Sequence, residues 1–193
     1  MKLHIATQNL GKLSEIKNFL SNIGVVFVEL DYVDLKEETG DTFQENSLQK
    51  AMNAFLQTGL PTLAEDSGIE VDALRGELGV KTRRWGAGKN ATDEEWLAYF
   101  LSIMHDKQNR NARFFTSACL ILSLDEIYIC GGSCDGIILQ ESSVPLVKGI
   151  PLSSYFVPNG LGKTFSELSE GEKNKISHRG NAMSKIANII KGM

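Results

Sequence analysis

Two capping boxes, Thr42-Phe43-Gln44-Glu45 and Thr92-Asp93-Glu94-Glu95, each open an amphipathic segment, and β-branched segments lie around them. In such a box the hydroxyl accepts an early helical N–H while the glutamate reaches back to the cap N–H, so the start of the helix is set locally. The first box predicts a helix to about residue 58, broken by Gly59-Leu60-Pro61, and the second a helix to about residue 104. Residues 2–7 read as a first strand. Residues 10–22 read as a helix, with Leu13, Ile16, Leu20 and Ile23 spaced by three and four. Gly24 suits the end of that helix, and residues 25–30 form a β-branched second strand.

Further on, strands are expected at 62–65 and 69–74, with Asp66-Ser67-Gly68 as an unusual turn between them, and a glycine-rich basic loop at 75–90. Residues 113–122 and 126–130 read as a hairpin, followed by a strand at 135–139. Ser169 caps a short helix, and Ser177 a last one with an apolar stripe of Ala182, Ile186 and Ile189 or Ile190. Helices around a strand-rich centre mean α/β or α+β with a mixed sheet, in one domain over residues 1–193.

The charge balance narrows function. Lys and Arg number 20 against 24 Asp and Glu, a net charge of −4, which argues against a dedicated nucleic-acid binder. A small basic pocket for a single nucleotide is compatible with that total. The longest apolar stretches, such as residues 118–122, fall far short of the ~20 residues of a membrane helix. The N-terminus turns polar by Thr7, unlike a signal peptide, so a cytoplasmic protein is expected. Cys119, Cys130 and Cys134 are an odd set without secretory context and read as reduced core thiols. Cys130 and Cys134 lack the partners of a zinc site.

Four segments can carry chemistry. Ala6-Thr7-Gln8-Asn9-Leu10-Gly11-Lys12 is a strand-to-helix junction, where free N–H groups and the helix dipole favour an anion. Asn9 serves equally as a plain N-cap, and GxxxxGK[ST] is absent. Glu45 can cap its helix or hold a hard cation. Glu65-Asp66 places adjacent carboxylates on opposite faces of a strand, so one reaches a cleft and the other is structural. Lys173, His178 and Arg179 stand at a helix junction and can bind phosphate or remain a solvated surface. Lys81-Thr82-Arg83-Arg84-Trp85 is a basic rim or plain surface. Carboxylates for Mg²⁺, cations and a helix N-terminus together make a kit for phosphoryl or nucleotidyl chemistry.

As an ordered set, these segments resemble the inosine/xanthosine triphosphate pyrophosphatase family. The likeness runs from Ile5 to about Ile186. It rests on Ala6-Thr7-Gln8-Asn9 with Lys12, Thr42-Phe43-Gln44-Glu45-Asn46 with Lys50-Ala51, and Glu65-Asp66-Ser67-Gly68-Ile69-Glu70-Val71-Asp72-Ala73-Leu74. Gly162-Lys163-Thr164-Phe165-Ser166-Glu167-Leu168, Glu172-Lys173-Asn174 and Ser177-His178-Arg179 complete it.

The resemblance implies an elongated α/β fold with a long mixed sheet, two lobes around a cleft, and a homodimer. It implies Mg²⁺-dependent hydrolysis of ITP, dITP or XTP to the monophosphate and pyrophosphate. Thr7, Gln8, Asn9, Leu10, Gly11 and Lys12 would cradle the triphosphate, and Ser67 would bind phosphate. Glu45 and Asp66 would hold the metal, with Asp66 also the general base. Lys173, His178 and Arg179 would contact base and phosphates.

The sequence departs from the family in two places. Family members usually carry Phe-Gly-Tyr-Asp-Pro where this chain has Ile150-Pro151-Leu152-Ser153-Ser154. Leu152 loses aromatic stacking, and Ser153, at the base-recognising position, loses a charge-assisted hydrogen bond. The stretch from Glu77 to Trp85 is also more basic than usual, although Arg84 and Trp85 match. Altered base selection is therefore expected. The alternatives are a pyrophosphatase for another modified nucleotide, as in the Maf-like proteins, or a slow or non-catalytic nucleotide binder.

Overall fold

The computed structural model describes residues 1–193 except Asp31, Tyr32, Lys36 and Lys89, and leaves out the side chain of Arg84. Its six strands are β1 (Lys2–Ile5), β2 (Val26–Val28), β3 (Thr62–Val71), β4 (Asn111–Ser123), β5 (Glu126–Ile138) and β6 (Phe156–Pro158). They form one sheet in the order β2-β1-β3-β4-β5-β6. β1 runs parallel to β2 and β3, and the other neighbours are antiparallel, so the sheet is mixed as expected. The helices are α1 (Leu10–Leu20), α2 (Phe43–Thr58), α3 (Asp93–Met104), α4 (Glu170–Ile176) and α5 (His178–Lys191).

The local signals place the helices well. Both predicted capping boxes form, at Thr42/Glu45 and Thr92/Glu95, and a further one at Ser169/Glu172 opens α4. Gly59 closes α2 at φ 64°, a conformation glycine adopts without a Cβ penalty.

The strands needed tertiary information. β3 is one continuous ladder with β4, in which Asp66, Ser67 and Gly68 face Ser117, Thr116 and Phe115. The expected turn at 66–68 is therefore absent. Gly68 does not have a positive φ. Its missing side chain instead admits the carbonyl of Gly79, and a Cβ there would also lie 2.7 Å from Thr82 Oγ1. Likewise β5 absorbs the separate strand expected at 135–139. The 75–90 loop contains a 3₁₀ turn at Gly79–Arg84.

Three apolar clusters hold the sheet. α1 and α5 bury Ile16, Leu20, Ala182, Met183, Ile186 and Ile190 against Leu3, Leu63 and Leu120. α2 buries Ala51 and Ala54 against Ala64, Cys119 and Ile121. The alternation of Leu63 and Ala64 between these clusters is the period of two expected of a strand. The third cluster joins Ile69 and Val71 to Trp96, Phe100, Met104, Leu152, Phe156 and Phe165. Each large side chain fully buried in this way contributes about 1.5–3 kcal/mol. Along β3, residues 66–68 lie between Leu63 of one cluster and Ile69 of another, and there the cleft opens.

Candidate active site

The cleft has a volume of about 500 Å³. Asp66 and Ser67 of β3 lie on its lining with Thr7, Gln8, Asn9 and Lys12 from the β1–α1 junction. Lys173, His178 and Arg179 reach it from α4 and α5, and Ser153 from the 3₁₀ turn Pro151–Ser154. Long-range β pairing and the docking of α5 thus gather residues scattered along the sequence.

Asn9 ties the junction down. Its Oδ1 accepts the Lys12 N–H at 3.1 Å, and its Nδ2 donates to the Gly149 carbonyl at 2.8 Å. Leu10 is 67% exposed, and neither it nor Gly11 lines the cleft. Gly11 instead packs against the Lys148 carbonyl, which a Cβ would approach to 2.8 Å.

The cations are organised by two carboxylates. Glu65, 1% exposed, accepts from Arg179 Nε at 3.0 Å and Nη2 at 3.1 Å, and pairs with Lys12 at 2.9 Å. Thr116 Oγ1 donates to it at 2.7 Å. Burial alone would raise the Glu65 pKa, but Arg179 and Lys12 overcome it and hold the carboxyl well below its ordinary range. Glu15 on α1 pairs with both Lys173 and Arg179. Burial works against its charge too, and these two cations more than offset it, so its pKa is lowered. Three cations share two carboxylates, which leaves this cluster with a net positive charge.

Asp66 is different. It is 6% exposed and accepts from Asn46 Nδ2 at 3.0 Å and from the Ser67 N–H at 3.0 Å. Its pKa is pushed up to about 6, first by burial and then by the Glu38 carboxylate, against the pull of Lys12 and Lys50. Glu37 and Glu38 both line the cleft, and Glu38 pairs with Lys50 at 2.7 Å. Lys50 also donates to the Glu65 carbonyl at 2.9 Å.

Glu45 is a correction. Its Oε2 accepts the N–H groups of Asp41 and Thr42 at 2.8 and 3.1 Å, it is exposed, and it does not line the cleft. It caps α2, while the acid that faces Asp66 is Glu38. The pair Glu37-Glu38, seven residues or so ahead of the capping glutamate, was the available signal. Glu15, three residues after Lys12 and on the same helical face, was another.

The donors around Asp66 are oxygens, as a hard cation requires. A carboxylate with a raised pKa beside a second carboxylate is short of positive charge, so Asp66 with Glu38 or Glu37 fits Mg²⁺. Among the described residues no group of three or more acidic, His or Cys side chains is arranged to hold a metal. Mg²⁺ needs no such cage, since it keeps waters and takes substrate phosphates as further ligands.

The other end of the cleft is apolar. Trp96, Phe114, Phe165, Ile150 and Leu152 line it, with His178 stacked on Phe114 at 4.7 Å. Burial, then Arg179, holds the His178 pKa well below its ordinary value, so its imidazole is neutral. Lys173 lies 5.5 Å from the centre of the Phe165 ring. In the basic segment Arg83 lines the cleft and Lys81 is exposed, while the side chain of Arg84 lies outside the described residues.

A protein called dITP/XTP pyrophosphatase in an Exiguobacterium species is 41% identical, with 98% of this chain and 97% of the relative aligned. One of the same name from Treponema denticola is 34% identical over all of both chains. Among solved structures, a HAM1 protein from Coxiella burnetii matches with a TM-score of 0.85 at 35% identity, covering both chains fully. The Ham1 protein of Staphylococcus aureus matches with a TM-score of 0.80 at 30% identity, covering 100% of this chain and 99% of the other. The Ham1 family model matches residues 3–189, and with relatives this similar over their full length the chain belongs to that family.

Proposed function

We propose that the cleft binds a deaminated purine nucleoside triphosphate, ITP, dITP or XTP, and cleaves it to the monophosphate and pyrophosphate. The chain is a hydrolase, a nucleoside triphosphate pyrophosphatase, like the relatives named above. The observation that carries this reading is Asp66, a buried carboxylate with a pKa near 6, in one cleft with Lys12, Lys173 and Arg179.

Asp66 is ionised for the most part at neutral pH yet basic enough to take a proton from water, as a general base must be. The water it activates attacks the α-phosphorus. Lys12, Lys173 and Arg179 stabilise the charge that builds on the leaving pyrophosphate, held in place beforehand by Glu15 and Glu65. Thr7, Gln8, Asn9 and Ser67 offer hydrogen bonds to phosphate oxygens. Leu10 and Gly11 contribute through the helix start they form. Mg²⁺, held by Asp66 with Glu38 or Glu37, would supply charge neutralisation at the phosphates. His178, Ser153 and the apolar end would take the base.

Residues 1–193 act as one bilobed unit, a reading supported by the single sheet that spans the apolar clusters. A homodimer is supported by Ile129 and Ile137, 45% and 41% exposed on β5. Light scattering in solution tests it. A cytoplasmic location is supported by three free thiols, and among the described residues no helix is long and apolar enough to cross a membrane.

The deciding experiment is pyrophosphate release from a nucleotide panel with and without Mg²⁺, for wild type and Asp66→Asn. Release from ITP, dITP or XTP that needs Mg²⁺ and Asp66 supports the reading. Release confined to another modified nucleotide would favour the second reading, which the replacement of the family's Tyr-Asp pair by Leu152 and Ser153 motivates. Tight binding without release would leave a nucleotide-binding protein.

A further inference from the structure

Residues 38–42 belong to no strand or helix, yet α2 pins them one after another. Glu45 accepts the N–H groups of Thr42 and Asp41, Asn46 Oδ1 that of Gly40 at 2.8 Å, and Gln49 Oε1 that of Thr39 at 3.3 Å. Lys50 then pairs with Glu38 at 2.7 Å. Asn46 and Lys50 lie one turn apart on one face of α2, and each also reaches β3. Asn46 Nδ2 donates to Asp66 Oδ2 at 3.0 Å, and Lys50 donates to the Glu65 carbonyl at 2.9 Å. Two rungs of one helix thus join the segment that carries Glu38 to the strand that carries Asp66.

Asn46 is fully buried and does not line the cleft, so it has no surface to offer a substrate. Its neighbours define its carboxamide completely. The Gly40 N–H needs an acceptor and the Asp66 carboxylate needs a donor, so the amide oxygen and nitrogen cannot exchange places. Aspartate would offer acceptors alone, and leucine neither group. The Gly40 side is also closed to movement. A Cβ on Gly40 would lie 2.7 Å from Asn46 Oδ1 and 2.6 Å from the Glu45 Cβ. The other Asp66 oxygen, Oδ1, accepts the Ser67 N–H at 3.0 Å, so the carboxylate is held by one contact on each oxygen.

We propose that Asn46 is a positioning residue, whose amide sets the rotation of the Asp66 carboxylate and locks the Glu38-bearing segment against it. This rests on the nucleotide reading above, in which Asp66 activates water, and goes beyond it by naming the side chain that aims that base. A reacting group misplaced by about 1 Å loses on the order of a hundredfold in rate. Binding of the phosphates depends instead on Lys12, Lys173 and Arg179, which Glu15 and Glu65 hold without help from Asn46. Removing the amide should therefore separate turnover from binding.

Steady-state kinetics with XTP and ITP, melting curves and calorimetric titration with inorganic pyrophosphate test this in wild type, Asn46→Ala and Gly40→Ala. Asn46→Ala is expected to lower kcat by about a hundredfold while KM and pyrophosphate affinity stay within about threefold of wild type. Gly40→Ala adds nothing to the cleft but presses on the amide from behind, and should give the same split with kcat lower by about tenfold or more. In the double variant the losses should fall well short of their product, because both act through one contact. Losses that multiply in full would overturn the proposal. So would a lowered melting midpoint with unchanged kcat, which marks a merely structural residue, or a fall in pyrophosphate affinity as large as that in kcat. Should Asn46→Ala fail to fold, Gly40→Ala decides. A reduced kcat at constant KM supports the proposal, and a wild-type kcat overturns it. Pyrophosphate release from no nucleotide by wild type would instead end the underlying reading, whereas an active wild type with an unimpaired Asn46→Ala would leave that reading standing and end only this one.

Discussion

Arg179 holds Glu65 in a two-point ion pair, Nε to Oε2 at 3.0 Å and Nη2 to Oε1 at 3.1 Å, across 114 residues of sequence. Both side chains are buried, so breaking the pair from one side leaves a charge without its partner. Glu65→Gln is expected to cost about 3 kcal/mol of stability, lowering the melting midpoint by roughly 6–12 °C. Because the folded-state pKa of Glu65 lies well below its ordinary 4.5, its contribution is present above pH 4.5 and disappears as the pH falls through the folded value. The variant's deficit against wild type, followed by thermal melts across pH, should therefore shrink only in acid. A constant deficit at all pH values would mean that the charge is not its source.

Asp66 has the opposite sign. Its pKa is raised from 3.8 to about 6, so between those values the folded protein binds more protons than the unfolded chain. This group's contribution to stability falls as the pH rises through that window and stays unfavourable above it. Asp66→Asn should abolish turnover, by about a thousandfold or more, yet raise the melting midpoint at pH 7.5 by a few degrees. The kcat/KM profile of wild type should have an acid limb near pH 6 that reports the free enzyme's base. Loss of activity accompanied by loss of stability would assign Asp66 a structural role instead.

Glu38 and Glu45 separate by function. Glu45→Ala removes only the α2 cap, so a melting midpoint lower by roughly 2–4 °C with unchanged kcat is expected. Glu38→Gln should raise the Mg²⁺ concentration for half-maximal activity by about tenfold or more. It should also lower the Asp66 pKa, because a carboxylate that raises it is gone. Mg²⁺ titrations of the two variants provide the comparison. A shift in Glu45→Ala alone would restore Glu45 as the ligand.

Gly68→Ala tests the close approach at the cleft floor. A Cβ there runs into the Gly79 carbonyl and Thr82 Oγ1, and the first of these is backbone that cannot swing away. Thr82 Oγ1 also accepts the Ile69 N–H at 3.0 Å, so the 3₁₀ turn would be pushed off β3. A loss of about 2–3 kcal/mol is expected, together with a raised KM, since Arg83 of that turn lines the cleft. A melting curve and KM identical to those of wild type would show that the two backbones are not in contact.

The helix starts were legible because capping is written within four residues, as at Thr42–Glu45, Thr92–Glu95 and Ser169–Glu172. The apolar periods of α1 and α5 were legible for the same local reason. Asp66, Ser67, Lys12, Lys173, His178 and Arg179 could be singled out from their types and order, and the fold brings all six to one cleft. Local pattern also misled. Gly68 reads as a turn in isolation, but it is the backbone of residue 79 that requires a glycine there, and that contact exists only after the chain has folded back. Glu45 and Glu38 are both glutamates near the start of α2, and although the Glu37-Glu38 pair stands out beside a capping glutamate, only the fold shows that it is Glu38 whose charge acts on Asp66. Glu65 could be read from its place beside Asp66 as the structural member of that pair, but not its partners, and Glu15 carries no motif of its own, yet the two hold the phosphate-facing cations through pairs that span up to 164 residues. The sequence by itself determined where helices begin and which residue types are on hand for phosphate chemistry, because hydrogen bonding within one turn and side-chain type are local properties. Only the tertiary structure decided which carboxylates are buried, which cations they position and which one is left basic, because burial and charge proximity are set by strands and helices that meet from distant parts of the chain.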